Sequence, residues 1–79
     1  MSPTVFREGG FRFYFFSREE QRLHIHVLCD SGEAKFWIEP RIELARNYGL
    51  SENDLSTARK LIEEHKDDIR SAWNRHFGG

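Results

Sequence analysis

The chain opens with two apolar-rich runs broken by a glycine pair. Residues 4–8 and 11–17 are rich in β-branched and aromatic side chains, and Gly9-Gly10 between them is a two-residue hairpin signal. Setting Glu8 opposite Phe11 brings Phe6 across from Phe13 and Thr4 across from Phe15. Successive strand residues point to opposite faces. One face then carries Phe6, Phe11, Phe13 and Phe15, and the other Val5, Arg7, Arg12, Tyr14 and Phe16. The phenylalanine-rich face is the expected core side.

A charged stretch follows over residues 18–22, and the pattern repeats in residues 23–29 and 33–38 around Asp30-Ser31-Gly32. Pairing Cys29 with Ala34, Val27 with Phe36 and Ile25 with Ile38 collects the small and aliphatic side chains on one face. A one-residue slip would mix the faces, so this register is preferred. It leaves His24, His26, Lys35, Trp37 and Glu39 together on the opposite face. Residues 42–48 fit a short edge strand stopped by Gly49, and nearly as well a helical turn.

Ser51 is a good N-cap, and Glu52 and Asp54 follow in a first turn that favours acidic groups. Leu55, Ala58, Leu61, Ile62, His65, Ile69, Ala72, Trp73, His76 and Phe77 then recur at helical spacing. This predicts a helix over 52–77, closed by Gly78-Gly79. Such a helix is about 39 Å long, whereas the strands span only about 20–23 Å. It must overhang the sheet or kink, the best place being between His65 and Asp68. The fold class is therefore α+β in a single domain over 1–79. An antiparallel sheet of four to five short strands, two hairpins plus an edge strand, lies under a long C-terminal helix.

Composition narrows the function classes. A chain of 79 residues makes one domain with a modest core. Seven Phe, two Trp and two Tyr concentrate its burial in rings that each remove roughly 150–250 Å² from water. Twelve basic and thirteen acidic residues leave a net charge of −1, which sets up no global field for nucleic acid or anionic membrane. Cys29 is the only cysteine, which rules out an intrachain disulfide and suits a reducing cytoplasm. No signal segment or membrane span is legible, so a cytoplasmic protein is expected.

His24-Ile25-His26 is the sharpest chemical feature, since i and i+2 on a strand share a face. Two such imidazoles can begin a metal site or serve as an acid–base pair. Further ligands are missing from that face, so no metal or cofactor is expected, and packing beside Trp37 is the simpler role. Arg7, Arg12, Tyr14, Lys35 and Trp37 join the histidines in one basic and aromatic surface, a composition suited to phosphate contact and base stacking. Glu8 and Glu39 lie nearby and temper that reading. Glu63, Glu64, Asp67 and Asp68 form an acidic cluster with like charges at i,i+4, either a solvated face or a docking patch for a basic surface. Trp73, His76 and Phe77 are core, or an interface if the helix overhangs. Gly-rich phosphate loops, paired Cys-x-x-Cys motifs and serine nucleophile motifs are absent.

Several motifs in order resemble a known bacterial family. They are Pro3-Thr4-Val5, Arg7-Glu8-Gly9-Gly10, Arg12-Phe13, His24-Ile25-His26-Val27, Gly32-Glu33-Ala34-Lys35-Phe36-Trp37 and Asn47-Tyr48-Gly49, together with His65 and the end from Trp73 to Phe77. The chain is similar across this span to domain of unknown function 4160. The resemblance implies a small α+β fold, genes set beside another small domain in a toxin–antitoxin-like arrangement, and relatives of this size on phages and mobile elements, where some small proteins inhibit CRISPR–Cas complexes. The expected function is a non-catalytic protein-binding module of a bacterial or phage conflict system. It would occlude a surface of a toxin–antitoxin partner or a CRISPR effector complex, as an anti-CRISPR-like inhibitor does. Glu63, Glu64, Asp67 and Asp68 would oppose a basic groove, while Arg7, Arg12, Tyr14, His24, His26, Lys35 and Trp37 supply anchors. The partner is expected to be a protein rather than nucleic acid, and the chain a monomer or weak homodimer. The alternative is a small RNA-binding or RNA-cleaving toxin using His24 and His26 with Lys35 or Arg12.

Overall fold

A computed structural model describes residues 4–16 and 22–77. Pro3, Ser17, most of the charged 18–22 stretch and the Gly78-Gly79 stop lie outside the described residues. The elements in chain order are β1 (Thr4–Glu8), β2 (Phe11–Tyr14), β3 (His24–Cys29), β4 (Gly32–Trp37), β5 (Glu43–Tyr48), α1 (Glu52–Glu64) and α2 (Lys66–Phe77). The five strands form one antiparallel sheet in the order β1-β2-β3-β4-β5.

The first hairpin turns on Gly9 and Gly10, both at positive φ, as a two-residue turn that matches strand twist requires. Glu8 opposes Phe11 and Phe6 opposes Phe13, as expected. Beyond them a bulge moves Thr4 opposite Tyr14 instead of Phe15. Val5, expected outside, is the extra residue and packs against the core. Thr4 turns outward, and its Oγ1 accepts a 2.7 Å bond from Arg12 Nε.

The second hairpin corrects the expected register by two residues. Cys29 pairs with Gly32, Val27 with Ala34 and Ile25 with Phe36. An even shift leaves every side chain on its expected face. Gly32 explains the difference. It is the first residue of β4 rather than part of the turn, and it lies so close to β5 that a Cβ there would overlap the Tyr48 carbonyl oxygen. β5 is a strand, not a helical turn, with a bulge against β4 between the pairs Lys35–Arg46 and Phe36–Leu44. Asn47 closes the way out of it: its Oδ1 accepts from Leu50 N at 3.0 Å and its Nδ2 donates to Leu50 O at 2.9 Å.

The expected long helix is two helices. α1 has 13 residues and is capped by Ser51, whose Oγ accepts from Asp54 N at 3.1 Å. It ends at His65, which leaves helical geometry at φ −109 and ψ 18 and donates its N–H to Leu61 O and Ile62 O, a tightened last turn. α2 has 12 residues. At 1.5 Å per residue each helix is about 18–20 Å long, matched to the strands. The break removes the overhang, and Trp73 and Phe77 of α2 pack with Phe15 on the core.

Both helices lie on the phenylalanine side. Phe13, Phe15, Ile25, Val27, Phe36 and Ile38 meet Ala58, Leu61, Ile62 and Ile69 in one cluster. Burying each large side chain contributes roughly 1.5–3 kcal/mol. On the opposite face Trp73 of α2 reaches the His24 end of β3, while Phe16, Leu28, Arg46 and Tyr48 are exposed.

Candidate binding surface

Antiparallel pairing sorts the open face into three transverse rows. Tyr14, His26, Lys35 and Arg46 stand directly opposite one another across β2 to β5. On one side runs the row Arg7, Arg12, Leu28, Glu33 and Tyr48. On the other, Trp37 stands between His24 and Glu43. Arg12 lies 4.7 Å above the Tyr14 ring, while Trp37 takes Arg22 at 4.2 Å and Lys35 at 4.4 Å. These are cation–π distances. Carboxylates are threaded among the cations. Glu33 Oε2 accepts from Tyr14 Oη at 3.2 Å, and Glu43 Oε1 lies 3.7 Å from Arg22 Nη2. A groove of about 310 Å³ opens between Phe16, His26, Glu33, Lys35, Arg46 and Tyr48. Phe16 and Tyr48, which line it, expose 42% and 59% of their surface, and Leu28 in the neighbouring row exposes 39%.

A family model for a domain of unknown function, DUF4160, matches residues 10–74. The chain belongs to the DUF4160 family. No curated protein and no solved structure matches it. The matched span runs through β2 to β5 and most of α2, so it contains every open-face residue from Arg12 to Tyr48, and leaves out Arg7.

The DUF4160 chain keeps some of the expected anchors at the surface and buries others. Arg7 is exposed, and Arg12, His26, Lys35 and Trp37 are half-buried. Tyr14, expected as a contact, is buried beneath Arg12. His24 is fully buried. Its Nδ1 lies 2.7 Å from Arg22 O, so this nitrogen holds the proton and donates. Its ring sits 5.2 Å from Trp73, which reaches it from the far end of the chain. His24 therefore cannot touch a partner or join His26 at a substrate, although the two rings are 5.2 Å apart. His26 packs against Phe16 at 4.3 Å and Tyr14 at 5.4 Å. Glu39, expected on this face, turns to α2 and pairs with Arg70 at 3.2 Å. Among the described residues no group of three or more His, Cys, Asp or Glu is placed to hold a metal ion, and no helix is long and apolar enough to cross a membrane.

The acidic cluster is real but is not one helical stripe. Glu63 and Glu64 end α1, and Asp67 and Asp68 begin α2, with all four exposed. Between them His65 bridges carboxylates, with Nε2 at 3.0 Å from Glu8 Oε1 and Nδ1 at 3.3 Å from Asp68 Oδ2. Its ring stacks on Phe6 at 4.0 Å. The Glu8 hydrogen bond, with a smaller contribution from Asp68, raises the His65 pKa above 6.5 against a lowering by burial. The helices hold this cluster on the side of the sheet away from the cation row.

Sequence reasoning missed Arg46, Tyr48, Leu28, Arg22 and the bridging role of His65. The signal for Arg46 and Tyr48 was present: once 42–48 is a strand, period 2 sets both beside Lys35.

Proposed function

We propose that this DUF4160 domain is a non-catalytic binding protein that docks a protein partner on the open face of its sheet. The observation that supports this is the groove lined by Phe16, His26, Glu33, Lys35, Arg46 and Tyr48 on the face opposite the core, with Arg12 and Trp37 in the neighbouring rows and Arg22 over the Trp37 ring. Arg, Trp and Tyr are the residues that dominate binding energy at protein interfaces. Glu33 and Glu43 interrupt the cations, which suits a mixed protein surface better than a phosphate track. The resemblance supplies the setting of a bacterial conflict system, with a cognate toxin–antitoxin partner or a CRISPR effector complex occluded by this face.

The test starts with a pull-down from the native host and continues with affinities of the purified partner. Tyr48→Ala is expected to weaken binding at least about tenfold, or 1.4 kcal/mol. Glu63→Lys with Glu64→Lys is expected to change it less than about threefold, since rim and remote charges contribute little. The opposite ranking would refute the open face as the docking surface.

A second reading, binding of single-stranded RNA, draws on the same interleaving of rings and cations. Cleavage is disfavoured because a two-histidine acid–base pair needs both rings at the substrate and His24 is buried.

A further inference from the structure

The chemistry of the open face is specific enough to name the kind of segment that fits it. β4 and β5 set Lys35 and Arg46 directly opposite each other, and β3 sets His26 opposite Lys35 on the other side. With strands about 4.8 Å apart, the three side chains span roughly 10 Å. Lys35 and Arg46 are like charges directly opposite across strands, a placement that favours an anion against the Arg46 guanidinium. Arg46 makes no ion pair with a described residue. Among the described residues its side-chain polar contact is Nη1 donating to Tyr48 Oη at 3.5 Å. The positive field is confined to this row, because Glu33 and Glu43 occupy the rows on either side. A phosphodiester chain running along the strands would meet those carboxylates. A short acidic run crossing the strands meets Lys35 and Arg46, with Glu33 on one wall of the groove. At the ends of the groove, exposed Phe16 and Tyr48 give apolar seats.

We propose that the groove binds an acidic segment of a protein partner, with carboxylates bridging Lys35 and Arg46 and an aromatic side chain seated against Phe16 and Tyr48. Arg46 is suited to a bidentate carboxylate contact. This rests on the open face being the docking surface, and it adds the partner's chemistry.

The experiment titrates the isotope-labelled full chain with three probes and follows backbone amides by NMR. The probes are acetyl-Glu-Glu-Trp-Glu-Glu-amide, its analogue with every Glu replaced by Gln, and oligouridylate. The acidic peptide is expected to shift amides of His26, Lys35, Arg46 and Tyr48 and to weaken at least about tenfold at high salt. Arg46→Glu is expected to abolish the shifts and Arg46→Gln to weaken them, while amide dispersion shows both variants folded. Equal binding by the Gln analogue at the same amides would overturn the acidic chemistry and leave the docking face standing. Tighter binding of oligouridylate there would overturn the choice of a protein segment. Acidic-peptide shifts confined to α1 and α2, or none at all, would overturn the proposed groove, while the partner affinities of Tyr48→Ala decide the docking face independently.

Discussion

His65 makes the stability of this domain depend on pH in a direction fixed by its geometry. Its two ring nitrogens face Glu8 of β1 and Asp68 of α2, and its ring stacks on Phe6. Donating from both nitrogens requires the charged imidazolium. The folded pKa is raised above the unfolded value of 6.5, chiefly by Glu8. The charge contribution is therefore complete below pH 6.5 while the carboxylates remain ionised, and it is lost as pH rises through the folded value. The carboxylates are 48% and 75% exposed, so screening limits each pair to about 0.2–1 kcal/mol, with Asp68 at the low end. Together they contribute on the order of 1 kcal/mol, and the stack on Phe6 adds roughly 0.5–1.5 kcal/mol, the ring-packing part of which persists when the imidazole is neutral. For a chain of 79 residues, 1 kcal/mol shifts Tm by about 4–8 °C. His65→Gln removes both terms. Thermal melts of wild type and variant, near pH 6 and near pH 9, should show a gap several degrees wider at the lower pH. Glu8→Gln should narrow the pH dependence without removing the residual gap. A gap that stays constant, or widens toward pH 9, would refute the charged bridge.

Other perturbations test the packing that places the open face. Gly32→Ala forces a methyl onto the Tyr48 carbonyl oxygen and should cost about 3 kcal/mol in urea unfolding, with no relief in a Tyr48→Ala background because the overlap is with backbone. Ile69→Ala empties a fully buried site that fastens α2 to the core and should cost about 2–5 kcal/mol, with early loss of the near-ultraviolet signal of Trp73.

The division of the sheet into two faces was legible because side-chain alternation holds along β2, β3 and β4, where Phe11, Phe13, Ile25, Val27, Ala34 and Phe36 all fall on the buried face. Register was legible only to within two residues, since an even slip preserves the faces, and what decides it is the approach of Gly32 to β5 from outside the hairpin. The outward assignment of Val5 failed at a bulge, which breaks period 2 without marking the sequence. The helix break has no glycine or proline to announce it; only the mismatch between helix and strand lengths pointed to the His65–Asp68 region. In the candidate site, Arg12, His26, Lys35 and Trp37 followed from alternation alone. The burial of His24 did not, because its cover is Trp73, a contact that exists only once α2 has turned back on the sheet.

The meander order and the helix break together separate the two charged features. Successive neighbouring strands put the cation row across the middle of the open face, while both helices pack on the other. The Glu8–His65 contact pins the acidic cluster beside β1 on the helical side. A standard interface covers roughly 800 Å² per partner, about a sixth of the 5045 Å² that this molecule exposes. A footprint of that size, centred on Lys35 and Arg46, fits one face and does not wrap to the helices. If the partner docks on the open face as proposed, the acidic cluster falls outside such a footprint, and charge reversals at the two features should act additively on affinity. This placement also separates stability from recognition. A partner seated on the open face leaves His65 in water, so His65→Gln lowers the melting temperature and leaves affinity at the open face unchanged wherever the variant is folded.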